Sequence, residues 1–100
     1  MFTIDKGKGF SVRLVSGITI RTMFGRNNFC DFPSEEGGIH SADTSEVSIF
    51  DSNGNNITEE MLLDLFPDDR VLSPLTRPYT EPDQWGSIIE WAMYRERKEV

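Results

Sequence analysis

"GFSVRLVSGITIRTMFG", residues 9–25, decides the fold. Phe10, Val12 and Leu14 alternate with Ser11 and Arg13, and Ile18 and Ile20 alternate with Thr19 and Arg21. A period of two marks a strand with one buried face, and two such runs broken by Ser-Gly read as an antiparallel hairpin. The side chains choose the register. A two-residue loop, Ser16-Gly17, sets Leu14 opposite Thr19 and Val12 opposite Arg21, which mixes apolar and charged residues on one face. A three-residue loop, Val15-Ser16-Gly17, sets Leu14 opposite Ile18, Val12 opposite Ile20 and Phe10 opposite Thr22. That register separates the faces and gives Gly17 the left-handed position such a loop needs. The expected result is an outer face carrying Ser11, Arg13, Thr19 and Arg21.

Beyond Phe24 the alternation stops. "GRNN", residues 25–28, reads as a turn, since glycine and asparagine tolerate positive φ, and "FCDF", residues 29–32, as a short buried segment. "PSEEGGIHSADTS", residues 33–45, has the composition of a mobile surface loop. "EVSIF", residues 46–50, reads as a further strand closed by the Asn-Gly signal in "DSNGNN", residues 51–56. Thr58 is suited to cap a short helix over residues 59–66; Glu59 and Glu60 match its positive end, and Pro67 stops it. Prolines at 67, 74, 78 and 82 make the following stretch an extended strap, with Val71, Leu72, Leu75 and Tyr79 available for burial.

A long helix is expected from "TEPD", residues 80–83, where Thr80 and Asp83 have capping-box spacing. Trp85, Ile88, Ile89 and Ala92 fall on one helical stripe, Trp91 and Met93 flank it, and the cations of "RERKEV" suit the negative end. The predicted fold is a single α+β domain over residues 1–100. It consists of a small antiparallel sheet of three to four strands, one long C-terminal helix packed on it and a short second helix.

One hundred residues suffice for one self-sufficient core without metal or disulfide. No apolar run approaches the roughly 18 residues of a membrane span, the N-terminal stretch lacks the apolar core of a signal peptide, and the chain has one cysteine. A cytoplasmic protein that does not engage membrane is the expectation. The net charge of −7 is unevenly spread. Residues 1–30 hold five Lys or Arg against Asp5 alone, residues 31–69 hold eleven acids and no Lys or Arg, and residues 70–100 are balanced. An acidic chain with no basic helical stripe is a poor candidate for conventional duplex DNA binding.

Catalytic constellations are weak. A nucleophilic Cys30 needs a base and an orienting group; the one histidine, His40, stands ten residues later and no third group can be named. Cys30 beside Phe29 is better read as a small buried hydrophobe. "DSNGNNITEE", residues 51–60, begins like a calcium loop at Asp51, Asn53 and Asn55, but places Asn56 and Leu62 where that loop needs Gly and a bidentate carboxylate. Gly7 and Gly9 in "KGKG" lack the helix and Gly-Lys-Ser/Thr ending of a phosphate loop. No metal, cofactor or catalytic residue is expected.

Binding is what remains. Arg13 and Arg21, helped by Arg26 and Asn27, offer guanidinium forks and an amide to a small phosphate-bearing ligand. Two copies meeting there would double the charge, so a homo-oligomer is among the expectations. The acidic half offers a protein partner Glu35, Glu36, Asp43, Glu59, Glu60, Asp68 and Asp69, a surface suited to fast, salt-sensitive association.

Phe24, Gly25, Asn28, Phe29 and Cys30 follow the hairpin, and Asp51 and Gly54 follow "EVSIF". This pattern, aromatic-Gly-x-x-Asn-aromatic-Cys and then Asp-x-x-Gly, resembles small, mostly uncharacterised accessory proteins of tailed bacteriophages. It spans roughly half the chain, leaves out the proline strap and the helix from Trp85, and carries no functional residue with it. The resemblance implies a non-enzymatic protein of the host-cell cytoplasm that inhibits a host component, above all in antiviral defence, by stoichiometric association. The first expectation is a host protein held by the acidic face. The alternative is a sponge for a nucleotide signal on the basic hairpin face, and a small Cys-dependent enzyme stands third.

Overall fold

The computed structural model describes residues 1–5, 9–24, 34–36, 39–41, 44–69 and 74–98, with backbone alone at 4–5, 34–36, 39–41 and 96–98. In chain order its elements are β1 (Phe2–Asp5), β2 (Gly9–Arg13), β3 (Thr19–Met23), β4 (Ser34–Glu36), β5 (Ile39–Ser41), β6 (Ser45–Phe50), α1 (Thr58–Leu65), β7 (Arg77–Thr80) and α2 (Pro82–Lys98). The chain is α+β. Its main sheet is antiparallel with strand order β1-β2-β3-β6-β7, and β4 and β5 form a separate pair.

The hairpin takes the longer loop. Phe10 pairs with Thr22 and Val12 with Ile20, Leu14 donates its N–H to the Ile18 carbonyl at 2.8 Å, and Gly17 has φ +98°. Gly17 is buried because the next loop packs on it, with Ser52 close enough that an added Cβ would lie 2.8 Å from the Ser52 Cβ. That loop is organised by Asp51, whose Oδ1 accepts the backbone N–H groups of Asn53 and Asn55 at 2.9 Å each, with Gly54 at φ +84°.

Five strands, rather than three or four, make the sheet. The residues of β1 had the right alternation, Phe2 and Ile4 against Thr3 and Asp5, in too short a run to stand out. The other addition comes from the proline strap. Pro78 is tolerated because β7 is an edge strand, and a bulge there sets Pro78 and Tyr79 against Glu46 alone, with Tyr79 at φ +51°. Leu75 and Tyr79 are exposed instead of buried, and Val71 and Leu72 lie outside the described residues. The segment expected to be an unstructured loop contains the β4–β5 ladder, which pairs Glu35 with His40. The "GRNN" and "FCDF" segments lie outside the described residues.

The core lies on one face of the sheet. Ile20 stands opposite Ile49 and Thr22 opposite Val47, and Met61, Leu62, Ile88 and Ala92 from the two helices close over them. The stripe of α2 is as the periodicity indicates, with Trp85 and Ile89 packed at its margins. Both expected helix caps are corrected. At the start of α2 Gln84 Oε1 accepts the Glu81 N–H at 2.9 Å, one arm of a capping box, while Thr80 turns inward and donates to the Arg77 carbonyl at 3.1 Å. At α1, Asn56 Oδ1 accepts the Thr58 N–H at 2.9 Å. The Thr58 hydroxyl instead accepts the Ile49 N–H at 2.9 Å and donates to the Leu75 carbonyl at 3.3 Å, tying α1, β6 and the strap together. A hydroxyl buried between three segments serves them before it serves its own helix end.

Gly17 and Gly54 separate backbone strain from crowding. Gly54→Ala meets nothing within 4 Å and should cost about 1 kcal/mol for its positive φ alone. Gly17→Ala adds the clash with Ser52 and should cost roughly 2–3 kcal/mol, read as the difference in urea midpoints at unchanged m.

Candidate functional site

The helices pack on one face of the sheet, and the other face carries the two exposed arginines of the hairpin. Pairing aligns Thr3, Ser11, Arg21 and Ser48 in one row across four strands, and Arg13, Thr19 and Phe50 in the next. Arg13 and Arg21 are both exposed and stand one diagonal step apart, roughly 7 Å between backbones. The Arg13 guanidinium lies along the hairpin tip beside Gly17. Among the described residues, neither side chain is paired with a carboxylate. Met23, farther along the same face, is buried and bounds the open area. The structure thus brings Arg13 and Arg21 together among hydroxyls. Arg26 and Asn27 lie outside the described residues.

Among the described acidic residues, Glu60, Asp64 and Asp69 make contacts within the fold. Glu59 and Glu60 are exposed on the first turn of α1, and Glu60 forms an ion pair with Arg95 of α2. Trp91 donates its Nε1–H to Asp64 at 2.9 Å, and Arg95 lies over the Trp91 ring. These contacts fasten α1 to α2. Asp69 pairs with Arg77 at 2.8 Å, and Asp68 is exposed in the same turn. Glu35 and Glu36 take backbone positions in β4, and Asp43 lies outside the described residues, as does Cys30.

Arg77 was not singled out by its sequence context, yet it organises this half of the molecule. Its side chain is 8% exposed; Nη1 donates to Thr80 Oγ1 at 3.2 Å and Gln84 Oε1 at 3.1 Å, Nη2 donates to Asp69, and the guanidinium carbon sits 3.9 Å from the Phe66 ring centroid. One cation therefore joins the turn after α1, strand β7 and the first turn of α2. Its Nε is buried without a partner. An arginine flanked by Thr76 and Pro78 in a proline-rich stretch gives no periodic signal, so only the tertiary contacts reveal the role.

A cavity of about 220 Å³ opens beside these elements, walled by Phe10, Phe24, Pro82 and Trp85 above Thr22 and Thr80. Trp85 donates its Nε1–H to Thr22 Oγ1 at 2.8 Å and meets Phe10 edge to face at 6.1 Å. The described lining holds no ionisable group, so it supplies packing and no acid–base chemistry. At Asp51, both carboxylate oxygens are engaged by the loop, Oδ2 accepting the Asn55 side-chain amide at 3.2 Å. Among the described residues, no three His, Cys, Asp or Glu side chains converge as a metal site, and no helix is long and apolar enough to cross a membrane. Compared with protein-family models, curated proteins and solved structures, the chain matches none.

Two measurements check the polar contacts. Arg77→Ala removes a buried guanidinium with four anchors and should cost about 2–4 kcal/mol in urea, whereas Asp69→Asn, at a carboxylate 48% exposed, should cost less than about 1 kcal/mol. The Asn55 backbone N–H is the main influence holding the Asp51 carboxyl below its ordinary range; the Asn55 amide, the Asn53 N–H and the charge of Arg95 add to it, and desolvation opposes it. A depressed folded value means that this contribution is complete above the ordinary aspartate value near about pH 4 and is lost as pH falls through the folded value. Asp51→Asn should therefore be less acid-sensitive than wild type in melting curves below about pH 4.

Proposed function

We propose that this is a non-enzymatic binding protein whose ligand surface is the face of the sheet opposite the helices, around Arg13 and Arg21. The observation that carries the reading is the exposed diagonal pair Arg13 and Arg21 among Ser11, Thr19 and Ser48, with both helices on the opposite face. Two guanidiniums at that spacing suit a phosphate-bearing small molecule. Each fork takes two oxygens of a phosphate or diphosphate, and neighbouring hydroxyls complete the shell. The mutual repulsion of the cations is relieved when the anion arrives, which favours the bound form. No covalent chemistry is asked of the site.

The resemblance to tailed-phage accessory proteins gives this binding a purpose: to sequester a nucleotide signal of host defence in the host cytoplasm. A second reading is stoichiometric inhibition of a host protein through the acidic residues. Glu59, on the first turn of α1, and Asp68, in the turn after that helix, support it, since both are exposed. It ranks below the first because Glu60, Asp64 and Asp69 are engaged in holding the chain's own helices and edge strand.

Native mass spectrometry of the protein recovered from a bacterial host, together with melting curves in millimolar pyrophosphate or cyclic dinucleotide, tests the reading. Wild type should carry or accept the anion and melt higher, by the equivalent of about 2.7 kcal/mol at 100 times Kd. Arg13→Ala with Arg21→Ala should abolish both effects and leave the ligand-free melting temperature within the small range of surface substitutions. Wild type and double variant responding alike would overturn the proposal.

A further inference from the structure

The main sheet ends differently at its two edges. β7 is blunted by Pro78 and by the bulge at Tyr79, the usual means by which a sheet refuses another strand. β1 has neither. Its pairing with β2 fixes which of its backbone groups are used. Met1 and Arg13 exchange both N–H···O=C bonds, at 2.7 Å each, so 1–13, 3–11 and 5–9 are the hydrogen-bonded pairs while 2–12 and 4–10 are not. The N–H and C=O groups of Phe2 and Ile4 therefore point away from β2, along the open edge. Beside them the Phe2 side chain is 75% exposed. Among the described residues these two donors and two acceptors have no partner, and such an edge, with an unburied aromatic beside it, is matched by an extended strand.

We propose that β1 pairs antiparallel with β1 of a second copy, with Thr3 on the two-fold axis. In that register the outward groups of Phe2 meet those of Ile4 in the second copy, and the reverse, giving four backbone hydrogen bonds from identical halves. The register is self-complementary in residue type as well. Phe2 stands opposite the Ile4 position on the helix-bearing face, and Thr3 opposite Thr3 on the outer face. This match favours a second copy over a foreign strand, which would have to supply an apolar residue at each of the same two positions. The product is a continuous sheet of ten strands, with Arg13 and Arg21 of both copies on one surface. The pairing holds whether or not that surface binds an anion.

Sedimentation equilibrium over a concentration series reads it directly, with a species of about 23 kDa, twice the 11.4 kDa chain, expected at high concentration. Phe2→Pro deletes an outward N–H and spares the bonds to β2, so it should return the protein to the single-chain mass with an unaltered melting temperature in dilute solution. Thr3→Lys, on the exposed outer face, opposes two ammonium groups at the axis and should weaken association at least tenfold. Thr3→Cys in a Cys30→Ser background should form a covalent dimer on oxidation, because the facing Cα atoms of a non-hydrogen-bonded pair lie about 4.5 Å apart, within disulfide reach. Should Phe2→Pro fail to fold, the lysine variant and the cross-link decide. A single-chain mass at every concentration, including one that instead captures an extended foreign peptide, overturns the proposal. A dimer indifferent to Thr3→Lys that does not cross-link through Thr3→Cys overturns it equally.

Discussion

The three-residue loop Val15-Ser16-Gly17 assigns a face to every residue of the sheet. Side chains alternate along a strand, so a slip of one residue would carry Arg13 or Arg21 inward and expose its apolar neighbours. Burying an unpaired guanidinium costs far more than a tight turn gains, and this excludes the shorter loop. With Val12 facing Ile20, the next pairing follows, Ile20 against Ile49 and Thr22 against Val47, and the helices find one apolar surface to cover. The face carrying the exposed Arg13 and Arg21 is the other side of the same decision. Core and candidate site are two consequences of one register.

Charge completes the arrangement. The acids of residues 31–69 look in the sequence like one block, but the fold draws cations from the last third of the chain to meet them. Arg77 reaches Asp69 and Arg95 reaches Glu60. The first third keeps Arg13 and Arg21 exposed. Arg77 is the more consequential of the closures, because its buried fork joins three segments at the sheet's second edge. The middle of the chain is bound to its end.

Local features were legible in the sequence. The hairpin register, the Asn-Gly turn and the Trp85-Ile88-Ile89-Ala92 stripe each rest on spacing within one segment. What escaped depends on distant partners. Thr58 has the chemistry of a cap, but the Ile49 N–H and the Leu75 carbonyl engage its hydroxyl, which no spacing rule foresees. Thr80 likewise looks like a cap until Arg77 places it in the interior, and the bond back to the helix start comes one residue later, from Gln84 to the Glu81 N–H. Prolines argue against a strand, and at an edge with a bulge that argument lapses. The exposed placement of Arg13 and Arg21 on the sheet was readable because they lie in the one region of clear alternation. The acidic residues were grouped by composition, which does not say where a carboxylate points.

The anion reading and the edge pairing both require the outer face to be assigned correctly, so the register is the claim to test first. In a two-dimensional nuclear Overhauser spectrum, the non-hydrogen-bonded pairs of β2 and β3 bring Hα protons face to face. The account predicts strong cross-peaks between Hα of Ser11 and Arg21 and between Hα of Arg13 and Thr19. Cross-strand contacts instead joining Val12 to Arg21 and Leu14 to Thr19 would contradict it.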